Sequence, residues 1–294
     1  MKEFFQILLV GIGDGAVYAM LGLGLVVIYR STGLLNFAQG ELAMFSTFIV
    51  WTFWELGLPL WLAILAGMVG GFLVAALIYQ VSVRPFGDPH QKPLAIVIVT
   101  IGLFLGVNGA AQLIWGTLDK RLDPLFGRST VEIFGVPVAW QKVGAVLVLG
   151  AMALLFYLIF QRTKLGLAMR TVASNSESAA LVGIPVPSLL MLGWGLAGAV
   201  GTVAGVFTAP NLGLGTNLMQ LTLIFGFAAI TLGGFDSLVG AVVGGLIVGT
   251  LASVLPRYIS FFEKMPLAPA FLLILVVLLF RPEGLFGRKQ VTRV

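Results

Sequence analysis

Five polar side chains carry most of the chemistry this sequence offers. Asn36, Gln39 and Glu41 fall close together at the start of an apolar run, GLLNFAQGELAMFSTFIVWTFW. Asn108 and Gln112 lie in a second apolar stretch, residues 94–115, which also holds Thr100. On a helix the spacings i, i+8 and i+12 fall near one face, so Thr100, Asn108 and Gln112 form a polar stripe. Amides and a carboxylate exchange hydrogen bonds, and none of these is a nucleophile with a base beside it. Two uses fit such a set: lining a path for water or a polar solute, or joining helices to one another, which is the commoner use inside a membrane. Asp14, within the first apolar stretch, also needs a partner. An unpaired carboxylate at the bilayer centre costs about 2.5–3.5 kcal/mol on insertion scales.

Enzymatic chemistry finds no support. The chain has no cysteine and a single histidine, His90, in a polar loop with nothing nearby to complete a metal site. It contains no G-x-x-x-x-G-K-[ST], H-E-x-x-H, C-x-x-C or G-x-S-x-G. No cofactor is implied. The chain therefore does not bind ATP by a P-loop.

The elements that position these residues are membrane helices. Of 294 residues, 59% are hydrophobic and 10% charged, against about 25% charged in soluble domains. The pattern predicts an all-α, polytopic helical bundle of about eight or nine hydrophobic segments, some of them partial or broken. Residues 4–29 form a first span, too long and too weakly basic in front for a cleaved signal, so it is expected to stay. Residues 30–33 read as a turn. Gly40 permits a break beside Glu41, so the next apolar run either opens a span or enters the bilayer partway. Further spans fall at 60–83, 94–115, 142–160, 188–208 and 238–256. The runs 221–234 and 267–280 are short for about 30 Å of hydrocarbon. Of the G-x-x-x-G pairs, the doubled run GAVVGGLIVG is the one that argues for close helix packing. MVGGFLVAA at 68–76 and VVGGLIVGT at 242–250 echo each other as an internal repeat would.

The net charge of +5 does not point to nucleic acid. Three short segments carry an excess of basic residues: Arg84 and Lys92; Arg162, Lys164 and Arg170; and, in the tail, Arg281, Arg288, Lys289 and Arg293. The positive-inside rule puts these three segments in the cytoplasm and the loops at 116–141 and 257–266 outside. Nine crossings leave the N-terminus outside and eight leave it inside.

The central loop, 161–187, is the longest polar interruption with net positive charge. Asn175 or Ser176 caps a short helix, Glu177 sits at its positive end, and Ala179, Ala180, Leu181 and Val182 continue it. Gly183 ends it and Pro185 forbids its return. The loop is either an ordered connector or a docking knob.

Four blocks in order resemble the branched-chain amino acid permeases of bacterial ATP-binding-cassette importers. GLLNFAQGELAMF at 33–45 is similar to the family's N-F-A-H-G-E, with Gln39 where histidine is usual. TKLGLAMRTVASNSESAALVGIPV at 163–186 resembles its central loop and the wider E-A-A-x-x-x-G pattern, with Ser178 in place of the first alanine. TLGGFDSLVGAVVGGLIVG at 231–249 and FRPEGLFGR at 280–288 follow, Asp236 replacing a glycine. The resemblance implies a single permease domain over 1–294 of type II-importer kind, with a coupling loop at 161–187 and a cytoplasmic tail at 281–294. It implies a bacterial inner-membrane subunit, not an enzyme, that pairs with a second permease chain. Cytoplasmic ATPase subunits and an extracytoplasmic solute-binding protein would complete the assembly, and the solute would be a branched-chain or other neutral amino acid. On that basis Arg170, Ser176, Glu177, Ala179, Ala180, Leu181 and Gly183 are expected to meet the ATPase. Asn36, Gln39, Glu41, Asn108 and Gln112 are expected on the solute path. A stand-alone facilitator for a small neutral solute such as urea or an amide, or an ion-coupled carrier, is the competing class.

Overall fold

The computed structural model describes residues 2–87 and 92–287. Asp88 and His90 of the turn-rich loop, and Arg288, Lys289 and Arg293 of the tail, lie outside the described residues. The helices are α1 (Lys2–Thr32), α2 (Gln39–Glu55), α3 (Leu60–Ile78), α4 (Pro93–Trp115), α5 (Trp140–Arg162), α6 (Lys164–Ser174), α7 (Ser176–Leu181), α8 (Val186–Leu212), α9 (Gln220–Gly233), α10 (Leu238–Tyr258), α11 (Ser260–Glu263) and α12 (Ala268–Phe280). Among the described residues six helices are long and apolar enough to cross a bilayer: α1, α3 with its continuation to Phe86, α4, α5, α8 and α10. Two shorter apolar helices, α9 and α12, accompany them. At 1.5 Å per residue the 14 residues of α9 reach about 21 Å, less than the hydrocarbon thickness. The chain is a multi-pass helical membrane protein.

Local differences from the sequence reading have local causes. Helix α1 runs on through residues 30–32 and stops at Gly33, so the expected turn comes later, and the non-helical stretch at 33–38 is longer than expected. Helix α8 continues past 208 to Leu212 although Pro210 lies in it. In the last turn a proline removes only one hydrogen bond that few residues depend on. The segment 116–141 contains an antiparallel hairpin, β1 (Thr130–Ile133) and β2 (Val136–Ala139), with Thr130 opposite Ala139.

Helices α1 and α8 form the buried centre. They run antiparallel, with Gly193 against Ser31 and Gly24 against Ala197 and Gln39. Each is flanked in the same way. α1 packs antiparallel on α10 and parallel to α9, whereas α8 packs antiparallel on α3 and parallel to α2. α9 and α10 form a hairpin, as do α2 and α3, and α12 lies on α9 as α4 lies on α2. The first and last groups of helices are thus inverted copies in arrangement, which is what the echo at 68–76 and 242–250 reflects. Gly71 on α3 abuts Gly198 and Thr202 of α8, and Gly245 on α10 abuts Ala19 of α1. Gly70 faces Ile49 of α2, and Gly244 faces Ala229 of α9.

These contacts show why glycine is so frequent. Helices in lipid gain little from burying apolar surface, so their association rests on close backbone packing. A Cβ on Gly15 would lie 2.6 Å from the Gly245 carbonyl oxygen and 2.8 Å from Leu246 Cα. Gly201 and Gly205 meet Ala43 and Thr47 of α2 in the same manner. The pair Gly102 and Gly106 on α4 faces open space instead.

Candidate functional site

Both central helices end in a glycine with left-handed backbone, Gly33 (φ 70°) and Gly213 (φ 82°), a conformation glycine adopts without penalty. After each comes a stretch without helix, and then a helix that begins inside the bundle. The Gln39 side chain, at the start of α2, donates from Nε2 to the carbonyl of Ala197 at 2.9 Å, well inside α8. Gly40 lies against Leu223 and the Met219 carbonyl at the start of α9. Phe37 in the first break packs on Phe227 of α9, with ring centroids 5.5 Å apart. The two interruptions therefore meet.

Asn36 fixes the first interruption. Its Oδ1 accepts the Ala38 N–H at 3.0 Å, a local turn that competes with helix. Asn36 and Gln39 are fully buried, and Asn36 Nδ2 and Gln39 Oε1 have no partner among the described residues.

Glu41 is 2% exposed. Its Oε2 accepts from Asn108 Nδ2 at 2.9 Å, and the same amide donates to the Thr216 carbonyl in the second interruption at 2.8 Å. Gln112 Nε2 donates to Asn108 Oδ1 at 2.7 Å. Gln220 Nε2 donates to Asn217 Oδ1 at 2.9 Å. A polar row thus leads from buried Glu41 through Asn108 to the exposed side chain of Gln112, and the Asn217–Gln220 pair follows Thr216 in the chain. Thr100 does not join it. It is buried and donates to its own helix at Val97 O. Glu41, Asn108 and Gln112 come together, whereas Gln39 sits between α1 and α8 and Asn36 is buried in the first interruption.

Sequence reasoning missed Thr216 and Asn217 because the acceptor at Thr216 is a backbone carbonyl, which no side-chain pattern reveals. The signal available was the glycine-rich link NLGLGTNLMQ between two apolar runs. Asp14 is satisfied by a neighbouring helix, through an ion pair with Lys142 of α5.

The two ends of the bundle are distinguished by contacts. Glu3 pairs with Arg257, so the start of α1 lies beside the end of α10. Residues 116–139 belong to this end: Lys120 and Leu214 exchange two backbone hydrogen bonds at 2.9 Å. At the other end Arg30 donates from Nε to Asp236 O at 2.6 Å, and its guanidinium lies 5.3 Å from the Phe160 ring centroid. That contact ties α1, the α9–α10 turn and the foot of α5 together. Leu285 and Phe286 donate backbone N–H to Leu232 and Gly233 there.

The central segment sits at this second end and is two helices, not one. In α6, missed from sequence, Gly166, Met169 and Val172 are buried, at helical spacing. Thr163 caps it, its hydroxyl accepting from Gly166 N–H at 3.2 Å. Arg170 reaches back to Gly166 O at 3.3 Å. α7 is capped as expected by Asn175, whose Oδ1 accepts from Ser178 N–H at 2.8 Å. Its far end is a Schellman motif: Ile184 N–H to Ala179 O and Gly183 N–H to Ala180 O, both at 3.0 Å, with Gly183 at φ 84°. Ala179 is wholly buried and seats the helix on the bundle. Leu181 is 89% exposed and Val182 73%, beside exposed Glu177, Ala180 and Gly183 and half-buried Ser176. The result is a rigid knob with an apolar tip.

The family described as branched-chain amino acid transport system / permease component matches residues 7–280. The permease protein LivH of the high-affinity branched-chain amino acid transport system of Escherichia coli strain K12 is 29% identical, over 99% of this chain and 98% of its own. The corresponding permease protein BraD of Pseudomonas aeruginosa is 28% identical with the same coverage. Among solved structures, a chain of PsaBC from Streptococcus pneumoniae in complex with Fab overlays with a TM-score of 0.49 at 17% identity, over 95% of this chain and 91% of that one. With nearly its whole length matched, the chain belongs to the family of branched-chain amino acid transport system permease components.

Proposed function

We propose that this permease forms half of the translocation pathway of an ATP-driven importer for a branched-chain or other small neutral amino acid. A second permease chain closes the pathway, cytoplasmic ATPase subunits drive it, and an extracytoplasmic binding protein delivers the solute. The observation that carries the reading is the α7 knob, an exposed Leu181–Val182 tip on a helix capped at both ends and seated by Ala179. A chain with no nucleotide motif is moved only by contacts that differ between two states of a partner. Glu177, Ala180, Leu181 and Gly183 meet the ATPase groove, Arg170 and Ser176 support them, and Ala179 holds the knob in place. The basic residues around it, Arg162, Lys164 and Arg170, put this end in the cytoplasm. The N-terminus then lies outside.

Glu41, Asn108 and Gln112 line the path, joined by Thr216 and Asn217. Asn36 and Gln39 hold the bend from which α2 starts. Exposed amides and irregular backbone are tolerated at membrane depth only against protein or water, which favours a passage along this row. Helices that begin inside a bundle also aim the positive ends of their dipoles inward. The test is labelled leucine uptake by proteoliposomes holding the permease pair, the ATPase and the binding protein. Accumulation that needs internal or external ATP on the ATPase side supports the reading; equilibration by the permease alone supports a facilitator and sinks it.

A further inference from the structure

We infer a carboxylate-binding subsite at the end of the bundle opposite α7, in a cavity of ≈ 460 Å³ between residues 121–128, the start of α5 and the end of α8. The inference rests on the proposal that solute arrives from this end. The charged side chains lining the cavity are Arg121 and Arg128, both cationic. Gln141, 6% exposed, forms part of the wall. Its Oε1 accepts the Phe126 N–H at 3.2 Å, which turns the amide so that Nε2 is left without a partner among the described residues.

The other groups sharpen the chemistry. Arg128 is shared with Asp123 at 3.0 Å, both exposed to solvent. Arg121 has no hydrogen bond or ion pair among the described residues. A guanidinium fork without a partner matches the two oxygens of a carboxylate, and a second cation in the same cavity adds to the attraction. Leu122, Pro124 and Ala209 give the same cavity apolar wall, suited to an aliphatic side chain. Its volume is within the range of small-molecule sites. Asn211 also lines the neighbouring cavity that holds Asp14, Tyr18 and Thr222, so the two cavities adjoin. It would hold an amino acid by its carboxylate before it reaches the polar row.

The experiment uses the full permease, purified with its companion chains, in nanodiscs. Equilibrium binding is measured for radiolabelled isovalerate, which has the carboxylate without the ammonium, with L-leucine and isopentylamine as competitors. Isovalerate should bind saturably, leucine should compete and isopentylamine should not. Arg121→Gln, an exposed change that spares the fold, should weaken isovalerate about tenfold or more. Gln141→Glu, equal in shape, should also weaken it, through the negative charge it adds to the cavity wall. No saturable binding, an unchanged dissociation constant in Arg121→Gln, or equal competition by the amine would overturn the subsite. So would an Arg121→Gln protein that loses only its grip on the empty binding protein, because the carboxylate would then be that protein's. ATP-driven uptake by the same preparation separates the two ideas. Uptake with unchanged isovalerate affinity in the variant removes the subsite alone, and no ATP-driven uptake by the unaltered complex removes the importer reading.

Discussion

Asn108 Nδ2 lies 2.9 Å from Glu41 Oε2 while also donating to Thr216 O, so one amide on α4 holds α2 to the second interruption. Both helices that begin inside the bundle are therefore linked through a single side chain. Any movement that opens a passage between them has to remake these bonds.

Asn108→Leu should lower transport far more than it lowers assembly. It leaves the buried Glu41 carboxylate without its donor and frees the Thr216 carbonyl. Initial uptake rates in proteoliposomes should fall about tenfold or more, with normal recovery of the purified complex. Asn108→Asp, which puts a second carboxylate beside Glu41, should do no better. Unchanged uptake in Asn108→Leu would show that the row only joins helices.

Leu181→Asp should separate coupling from folding. Leu181 is almost fully exposed, so the change should alter the stability of the isolated chain by no more than about 0.5 kcal/mol. Co-purification of the ATPase should drop sharply. Ala179→Asp should lose both, because that site is buried. Equal loss of ATPase and of thermal stability in Leu181→Asp would count against the exposed tip as the docking surface.

The two ends of the α7 segment were legible because their chemistry is local: Asn175 and Gly183 act within a few residues of themselves. α6 was not, although Gly166, Met169 and Val172 recur at helical spacing, since the basic residues around them read as loop. The types of Glu41, Asn108 and Gln112 were visible, but which of them meet depends on how α4 lies on α2, and Asn36 and Gln39 went elsewhere. The inverted arrangement surfaced only as a faint echo. Small residues that let backbones touch are interchangeable in sequence, so the packing leaves little trace.

Glycine substitutions should discriminate filled from open faces. Gly15→Leu pushes a side chain into the backbone of Gly245 and Leu246 and should destabilise the chain by about 1–3 kcal/mol or more, read as loss of thermal stability in detergent. Gly102→Ala, where nothing lies within 4 Å, should cost the isolated chain nothing. A loss of stability that appears at Gly102 only in the assembled complex would locate a partner helix there.

The Asp14–Lys142 pair should behave as a coupled unit. Asp14→Asn and Lys142→Met should each lower stability by about 1–3 kcal/mol, because each leaves a half-buried charge alone. The double variant should cost less than the sum, and a double-mutant cycle on thermal unfolding measures the difference. Strict additivity would mean that the two side chains do not interact.

The most direct test of the central claim follows uphill leucine accumulation in proteoliposomes containing the permease pair, the ATPase and the binding protein, comparing Leu181 with Leu181→Asp at equal permease content. The account predicts accumulation above the outside concentration that requires ATP and disappears in Leu181→Asp. Accumulation at the unaltered level in Leu181→Asp, or uphill accumulation by the permease with no ATPase present, would contradict it.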